Sequence, residues 1–229
     1  MTPTIKAVIP AKASSTRVPD KNFRPFHGTR SLLDIKVGQL LTVLPAEQIY
    51  VSSEEPACAA HAERLGINFL SRAPELARNE TPYASVVSQI CRDTPGDDDI
   101  MWCHVTDPLF DQYAECLARW REARDHNDAL VVVYPRQMYL LDHDHRPMGF
   151  GFGPWHRPSQ TLPMHYQLGF TLSILRRSTA TTLGPIGANP YWFHAANQPV
   201  DIDTEDDFRM AQAIYAYLHE QDPARAAAR

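Results

Sequence analysis

The sequence has no basic block, no apolar run long enough to cross a bilayer, no paired cysteine motif and no internal repeat. Each absence removes a class of function. With Lys and Arg numbering 22 against 27 Asp and Glu, the net charge is −5 and there is no global nucleic-acid footprint. Any phosphate-binding patch must therefore be local. The longest apolar stretches, such as residues 129–134, are strand-sized. Residues 1–6 lead directly into a strand pattern, without the charged, apolar and cleavable sections of a leader. The four cysteines (Cys58, Cys91, Cys103 and Cys116) form no C-x-x-C pair, which argues against a zinc site and for buried thiols in a reducing cytoplasm. Nucleic acid and membrane are thus excluded as partners, and a cytoplasmic protein is expected.

A chain of 229 residues suits one sizeable α/β core and is short for two domains. Strand and helix signals alternate along its first two-thirds. Strands are expected over residues 5–11, 49–51, 67–70, 100–105 and 129–134. Between them, Leu33, Val37, Leu40, Leu41 and Leu44 recur at helical spacing. Further helices are expected from Pro56 to a C-terminal Gly66, over residues 83–92, and over residues 111–124. This succession predicts a mainly parallel sheet with helices on both faces. Residues 135–163 break the pattern, being rich in Pro, Gly, His, Met and aromatics without a period; loops that long in a compact domain carry function or dock on a partner. Strands resume over residues 168–175, 191–196 and 200–203. A final helix follows, with Thr204 as N-cap, Asp207 three residues on, and an apolar stripe of Phe208, Ala211, Ile214, Tyr215 and Leu218. The Ala/Arg-rich end after Pro223 is expected to fray.

Two stretches carry chemistry. The first is Ile9-Pro10-Ala11-Lys12-Ala13-Ser14-Ser15-Thr16-Arg17-Val18-Pro19-Asp20-Lys21-Asn22, directly after the first strand, where open α/β sheets place ligands. Small residues let backbone N–H groups approach an anion, and Lys12, Arg17 and Lys21 offset triphosphate charge. A solvated basic loop is the alternative on charge alone; the order of small residues, spaced cations and two prolines after a strand favours phosphate binding. The second stretch is Pro199-Val200-Asp201-Ile202-Asp203-Thr204-Glu205-Asp206-Asp207-Phe208. In a strand, Asp201 and Asp203 share a face, and two adjacent carboxylates repel unless a cation or proton lies between them. Mg²⁺ suits such a pair together with substrate phosphates. Glu205, Asp206 and Asp207 instead read as acidic residues favouring a helix N-terminus.

Taken together these motifs resemble the acylneuraminate (CMP-sialic acid) cytidylyltransferases. The family's first motif runs approximately I-P-A-R-x-G-S-x-R-x-P-x-K-N; Arg17, Pro19, Lys21 and Asn22 match it, with Lys12 in place of arginine. Val51-Ser52-Ser53-Glu54 resembles V-S-T-D, and Arg72-Ala73-Pro74-Glu75-Leu76-Ala77 resembles R-P-x-E-L-A. Thr81 and Ser85 lie where the family has a base- or ribose-contacting hydroxyl. His104-Val105-Thr106-Asp107-Pro108-Leu109 stands for Q-P-T-S-P-L, with His104 replacing a glutamine associated with the sugar acceptor and Asp107 replacing serine. Arg157, Gln160 and Tyr166 resemble a family region that forms a dimerisation arm, and the acidic stretch matches V-D-I-D-T-x-x-D-F.

The resemblance implies a Rossmann-like nucleotidyltransferase fold, a single domain over residues 1–229 with residues 135–170 as an inserted arm, and a homodimer. It implies CMP transfer from the co-substrate CTP to an anionic acceptor, nonulosonic or sialic-acid-like, with Mg²⁺. Lys12, Lys21, Arg17, Asp201 and Asp203 are the expected catalytic residues, the two aspartates as metal ligands. Ala11, Lys12, Ser15, Lys21, Asn22, Ser52, Arg72 and Ser85 are expected at the nucleotide. His104, Thr106, Asp107, Arg157, Gln160 and Tyr166 are expected at the acceptor. The altered residues at 104 and 107, with Leu168 for asparagine, leave a shorter ulosonic acid or a phosphonate open. A nucleotide-sugar-dependent glycosyltransferase, sharing a D-x-D site, is the alternative from another class.

Overall fold

In the computed structural model, which describes residues 4–13 and 17–220, the first apolar run forms β1 (Ile5–Pro10). A short antiparallel ribbon of β2 (Pro25–His27) and β3 (Arg30–Ser31) leads into α1 (Leu32–Leu41). Ser31 starts that helix through a reciprocal capping box with Asp34. Next come β4 (Ile49–Ser53), α2 (Cys58–Leu65) and β5 (Asn68–Ser71). Gly66 ends α2 at φ 68°, the left-handed position its place in the sequence predicts. Then follow α3 (Tyr83–Asp93), β6 (Asp99–Cys103), α4 (Tyr113–Ala123), β7 (Ala129–Arg136), β8 (His165–Leu175), α5 (Arg177–Thr182), β9 (Pro190–His194) and α6 (Glu205–Glu220).

Seven strands make one sheet in the order β5-β4-β1-β6-β8-β7-β9. All pairings are parallel except those of β8, which runs antiparallel to β6 and β7. The mostly parallel sheet with helices on both faces is therefore present. Alternation along β1 divides the core. Ala7 and Ile9 face α1, α4 and α6 with Leu33, Trp120 and Phe208, whereas Val8 faces α3 and α5 with Trp102, Ile90 and Ala180. Each large apolar side chain buried this way contributes about 1.5–3 kcal/mol.

Two expectations change. Residues 200–203 form no strand; the segment runs past the end of β6, and its sheet-like bond is one from the Ile202 N–H to the Thr106 carbonyl, 3.0 Å. Strand β8 begins at His165 because Arg136 and Tyr134 of the long β7 pair with it there. The stretch from 137 to 164 holds two 3₁₀ turns, Gly153–Trp155 and Ser159–Thr161, and a single bridge between Leu141 and Pro147. It leaves Met138, Tyr139, Phe152 and Trp155 exposed. No described helix is long and apolar enough to cross a membrane, and all four cysteines are buried and free. The residues after 220 lie outside the described part, as does the expectation for them.

Candidate active site

A cavity of about 520 Å³ opens at the carboxyl ends of β1, β5 and β6. Pro10 closes it from β1, Arg72 from the residue after β5, and His104, Val105 and Thr106 from the turn after β6. Parallel α/β sheets bind ligands at this edge, where strand ends leave a crevice between connections.

The basic loop lies across the cavity, and most of its anchors come from distant parts of the chain. Lys12 Nζ donates to Asn79 Oδ1 at 2.9 Å. Asn22 is buried and donates to the Lys12 carbonyl at 2.8 Å, while its Oδ1 has no partner. The Ala13 N–H donates to Glu54 Oε1 at 3.1 Å. Arg17 meets Asp203 at 2.7 Å; Lys21 donates to the Ile202 carbonyl and stands 3.9 Å from Asp203. Lys12, Arg17, Lys21 and Asn22 all line the cavity. Residues 181 or more positions apart in the chain thus share one site.

The acidic segment is shaped by the start of α6. Thr204 Oγ1 accepts from the Asp207 N–H at 3.2 Å, and Asp207 Oδ2 accepts from the N–H groups of Thr204 and Asp203 at 2.7 and 3.1 Å. This capping box, with Thr204 as the N-cap its position predicts, holds the backbone at Asp203. Its hydrogen bonds keep the Asp207 carboxyl below the usual range. Ile202 is fully buried, so Asp201 and Asp203 flank it away from the core. Desolvation and the neighbouring Asp203 push the Asp201 carboxyl up, opposed by a hydrogen bond from Thr106 and by Lys21. Burial lowers the Lys21 ammonium, opposed by both aspartates. Asp201 and Asp203 are hard-oxygen donors of the kind Mg²⁺ takes, and Arg17 and Lys21 stand against them.

Arg72 is nearly buried and grips Glu54 with two hydrogen bonds, 2.7 and 3.2 Å. Burial alone would raise the Glu54 carboxyl, but its own backbone N–H, Arg72 and the Ala13 N–H together hold it below the usual range. Glu54 therefore ties the loop after β1 to the end of β5. On the facing wall, Trp102 Nε1 donates to Tyr83 Oη at 2.7 Å and to His104 Nε2 at 3.1 Å, and Tyr83 Oη also meets His104 Nε2. Burial, followed by Lys36 and Lys21, depresses the His104 imidazole to about 4.

Several expected residues lie elsewhere. Asp107 is buried inside the fold, where Oδ2 accepts from Tyr134 and Thr171 and Oδ1 from the Leu109 and Phe110 N–H groups. Ser52 is fully buried in β4 with its hydroxyl unpartnered, and Ser85 faces solvent in the first turn of α3. Neither lines the cavity; Thr81 does. The Ala11 N–H is taken by the Ser52 carbonyl at 2.9 Å, which leaves only its carbonyl for a ligand. Arg157 and Gln160 are exposed on the long excursion between β7 and β8. Tyr166 lies tilted against His194, 4.7 Å between ring centroids, beside a separate cavity of about 340 Å³. Ser15 lies outside the described residues. The cavity also contains Arg78, Asn79 and Tyr83, which sequence reasoning missed. Arg78 and Asn79 follow the Arg72–Ala77 motif directly, so reading two residues further would have found them. Tyr83 gave no signal, since its partners are distant in sequence.

Residues 6–118 match the family model described as Cytidylyltransferase. That stretch, just under half of the chain, is similar to the cytidylyltransferases. The match contains the basic loop, Glu54, Arg72, His104 and Thr106; the acidic segment lies beyond it. No curated protein sequence matches significantly. Among solved structures, a CMP:2-keto-3-deoxy-manno-octonic acid synthetase complexed with CTP superposes with a TM-score of 0.70 at 12% identity, over 94% of this chain and 99% of that one. A 4-diphosphocytidyl-2C-methyl-D-erythritol synthase from Anaerococcus prevotii gives 0.61 at 12% identity, over 93% and 96%. At such identities the likeness is one of fold, and that fold is the nucleotidyltransferase one.

Proposed function

We propose that the protein transfers CMP from CTP to a small anionic acceptor, a nonulosonic or related sugar acid, and releases pyrophosphate. The observation that carries this reading is the meeting of Arg17 and Lys21 with the Asp201–Asp203 segment beside the cavity. The acceptor's hydroxyl oxygen attacks the α-phosphorus in line, its proton passing to solvent water. A phosphorus–oxygen bond forms to that oxygen as the bond to the α–β bridging oxygen breaks, and that electron pair leaves with pyrophosphate. Lys12, Arg17 and Lys21 hold the triphosphate oxygens and stabilise charge as it moves to the leaving group. Asp201 and Asp203 would hold a Mg²⁺ ion, which would supply Lewis acidity and further neutralise the phosphates. Asn22, with its unpartnered Oδ1, accepts from the nucleoside, and Arg72 borders it. His104 and Thr106 face the acceptor.

The protein works in the cytoplasm as a homodimer, with residues 135–170 as an arm; the exposed Met138, Tyr139, Phe152 and Trp155 support an apolar contact there. Pyrophosphate release measured across the four NTPs, with and without Mg²⁺ and with a panel of sugar acids and phosphonates, tests the reading. Release specific to CTP and dependent on an added acid is expected. Hydrolysis of a UDP-sugar, or release indifferent to the base, contradicts it.

A further inference from the structure

The wall formed by Tyr83, Trp102 and His104 contains more information than the proximity of its rings. An indole N–H can only donate, so Tyr83 Oη and His104 Nε2 both accept from Trp102 Nε1, at 2.7 and 3.1 Å. The Tyr83 oxygen has a single hydrogen. Having accepted from Trp102, it directs that hydrogen at its other neighbour, His104 Nε2. Two donors thus converge on one imidazole nitrogen, which must be bare. The ring's proton then sits on Nδ1. That atom has no protein partner among the described residues, and His104 lines the cavity beside Thr106.

We propose that His104 is a fixed, neutral Nδ1–H donor that binds an oxygen of the acceptor substrate (carboxylate, phosphonate or carbonyl), with Tyr83 and Trp102 as positioning residues that lock its tautomer. The assignment to the acceptor rests on the CMP-transfer reading above; the tautomer does not. Burial, and after it the charges of Lys36 and Lys21, disfavour a second proton, in keeping with a ring whose pKa is lowered to about 4. Neutrality matters for selectivity. A lone N–H donates to any oxygen acceptor in its path, charged or not, and excludes a group that can only donate, such as an ammonium. The glutamine that the resembling family carries at this place can rotate to offer either a donor or an acceptor. His104, pinned from behind, offers only the donor.

The test begins with the full chain labelled with ¹⁵N in its imidazoles. Long-range ¹H–¹⁵N spectra at neutral pH are expected to show His104 with Nδ1 protonated and Nε2 bare. A proton on Nε2, or on both nitrogens, overturns the proposal. In Tyr83→Phe, Nε2 is expected to stay bare but to shift, as one of its two donors is gone; an unmoved resonance removes Tyr83 from the positioning role. In the pyrophosphate assay, His104→Ala is expected to raise the KM of the accepted acid about tenfold, while the KM of CTP changes by less than about twofold. His104→Asn, which returns an amide near the place of Nδ1, is expected to recover most of the loss. Equal rises in both KM values overturn the acceptor assignment. If the wild type releases no pyrophosphate with any acid, the activity reading fails, and the spectra still decide the tautomer alone.

Discussion

Two lysine–aspartate neighbourhoods lie on either side of Thr106, and they differ in almost everything but composition. Behind it, Lys36 is fully buried and Asp107 is 2% exposed. Lys36 donates to the Asp107 carbonyl and to Tyr113, and the Asp107 carboxylate accepts four further hydrogen bonds. Burial pushes the Asp107 carboxyl up and the Lys36 ammonium down, each opposed by the other. In front, the Lys21 and Asp203 side chains are 11% and 44% exposed, and their partners are few. The sealed pair is closed off and its bonds are filled within the fold; the open pair is half-exposed, with Lys21 lining the cavity. Thr106 and Asp107 are chain neighbours, and the turn after β6 sends one to the cavity and the other to the core.

The comparison can be broken by exchanging the penalties. Asp107→Ala, which leaves Lys36 buried without its counter-charge, is expected to cost about 3–5 kcal/mol of stability in urea unfolding. Asp203→Ala is expected to change stability by less than about 1 kcal/mol, as half-exposed ion pairs do, yet to lower kcat by about a hundredfold or more. Similar stability losses in both variants would erase the distinction. A smaller effect is expected from Thr204→Ala, which removes the N-cap oxygen of α6 and with it about 1 kcal/mol. Because the same box holds the Asp203 backbone, that variant is expected to lose kcat severalfold as well. The smallest effect is a matter of pH. His104 takes its proton at 6.5 when unfolded and near 4 when folded, so the unfolded chain binds protons first as the pH falls. Stability is therefore lost between about 6.5 and 4, and thermal melts of His104→Asn are expected to decline less over that window than those of the wild type.

The elements that positioned the site were legible because they rest on local rules. Strand β1 reads from its apolar run, α2 from Gly66, and α6 from the spacing of Thr204 and Asp207. The two ends of the site were also legible as separate motifs. What could not be read was the side to which a polar residue turns. Asp107 looked like an acceptor-side change, but its carboxylate meets Tyr134 and Thr171, which follow it by 27 and 64 positions. Ser52 fits a loop motif and is buried because β4 is covered on both faces. Glu54 was quoted within a motif without a role, since its function as a tie depends on Arg72 arriving from the next strand and Ala13 from the previous one.

The central claim is that the basic loop and the acidic segment together receive the triphosphate of CTP. Calorimetric titration of CTP into the wild type and into Lys21→Ala, with Mg²⁺ and without any acceptor, tests it most directly. The account predicts binding by the wild type and a loss of about tenfold to a hundredfold in the variant, the scale of one charge-assisted hydrogen bond in a half-buried site. Equal affinity for CTP in both proteins would contradict it.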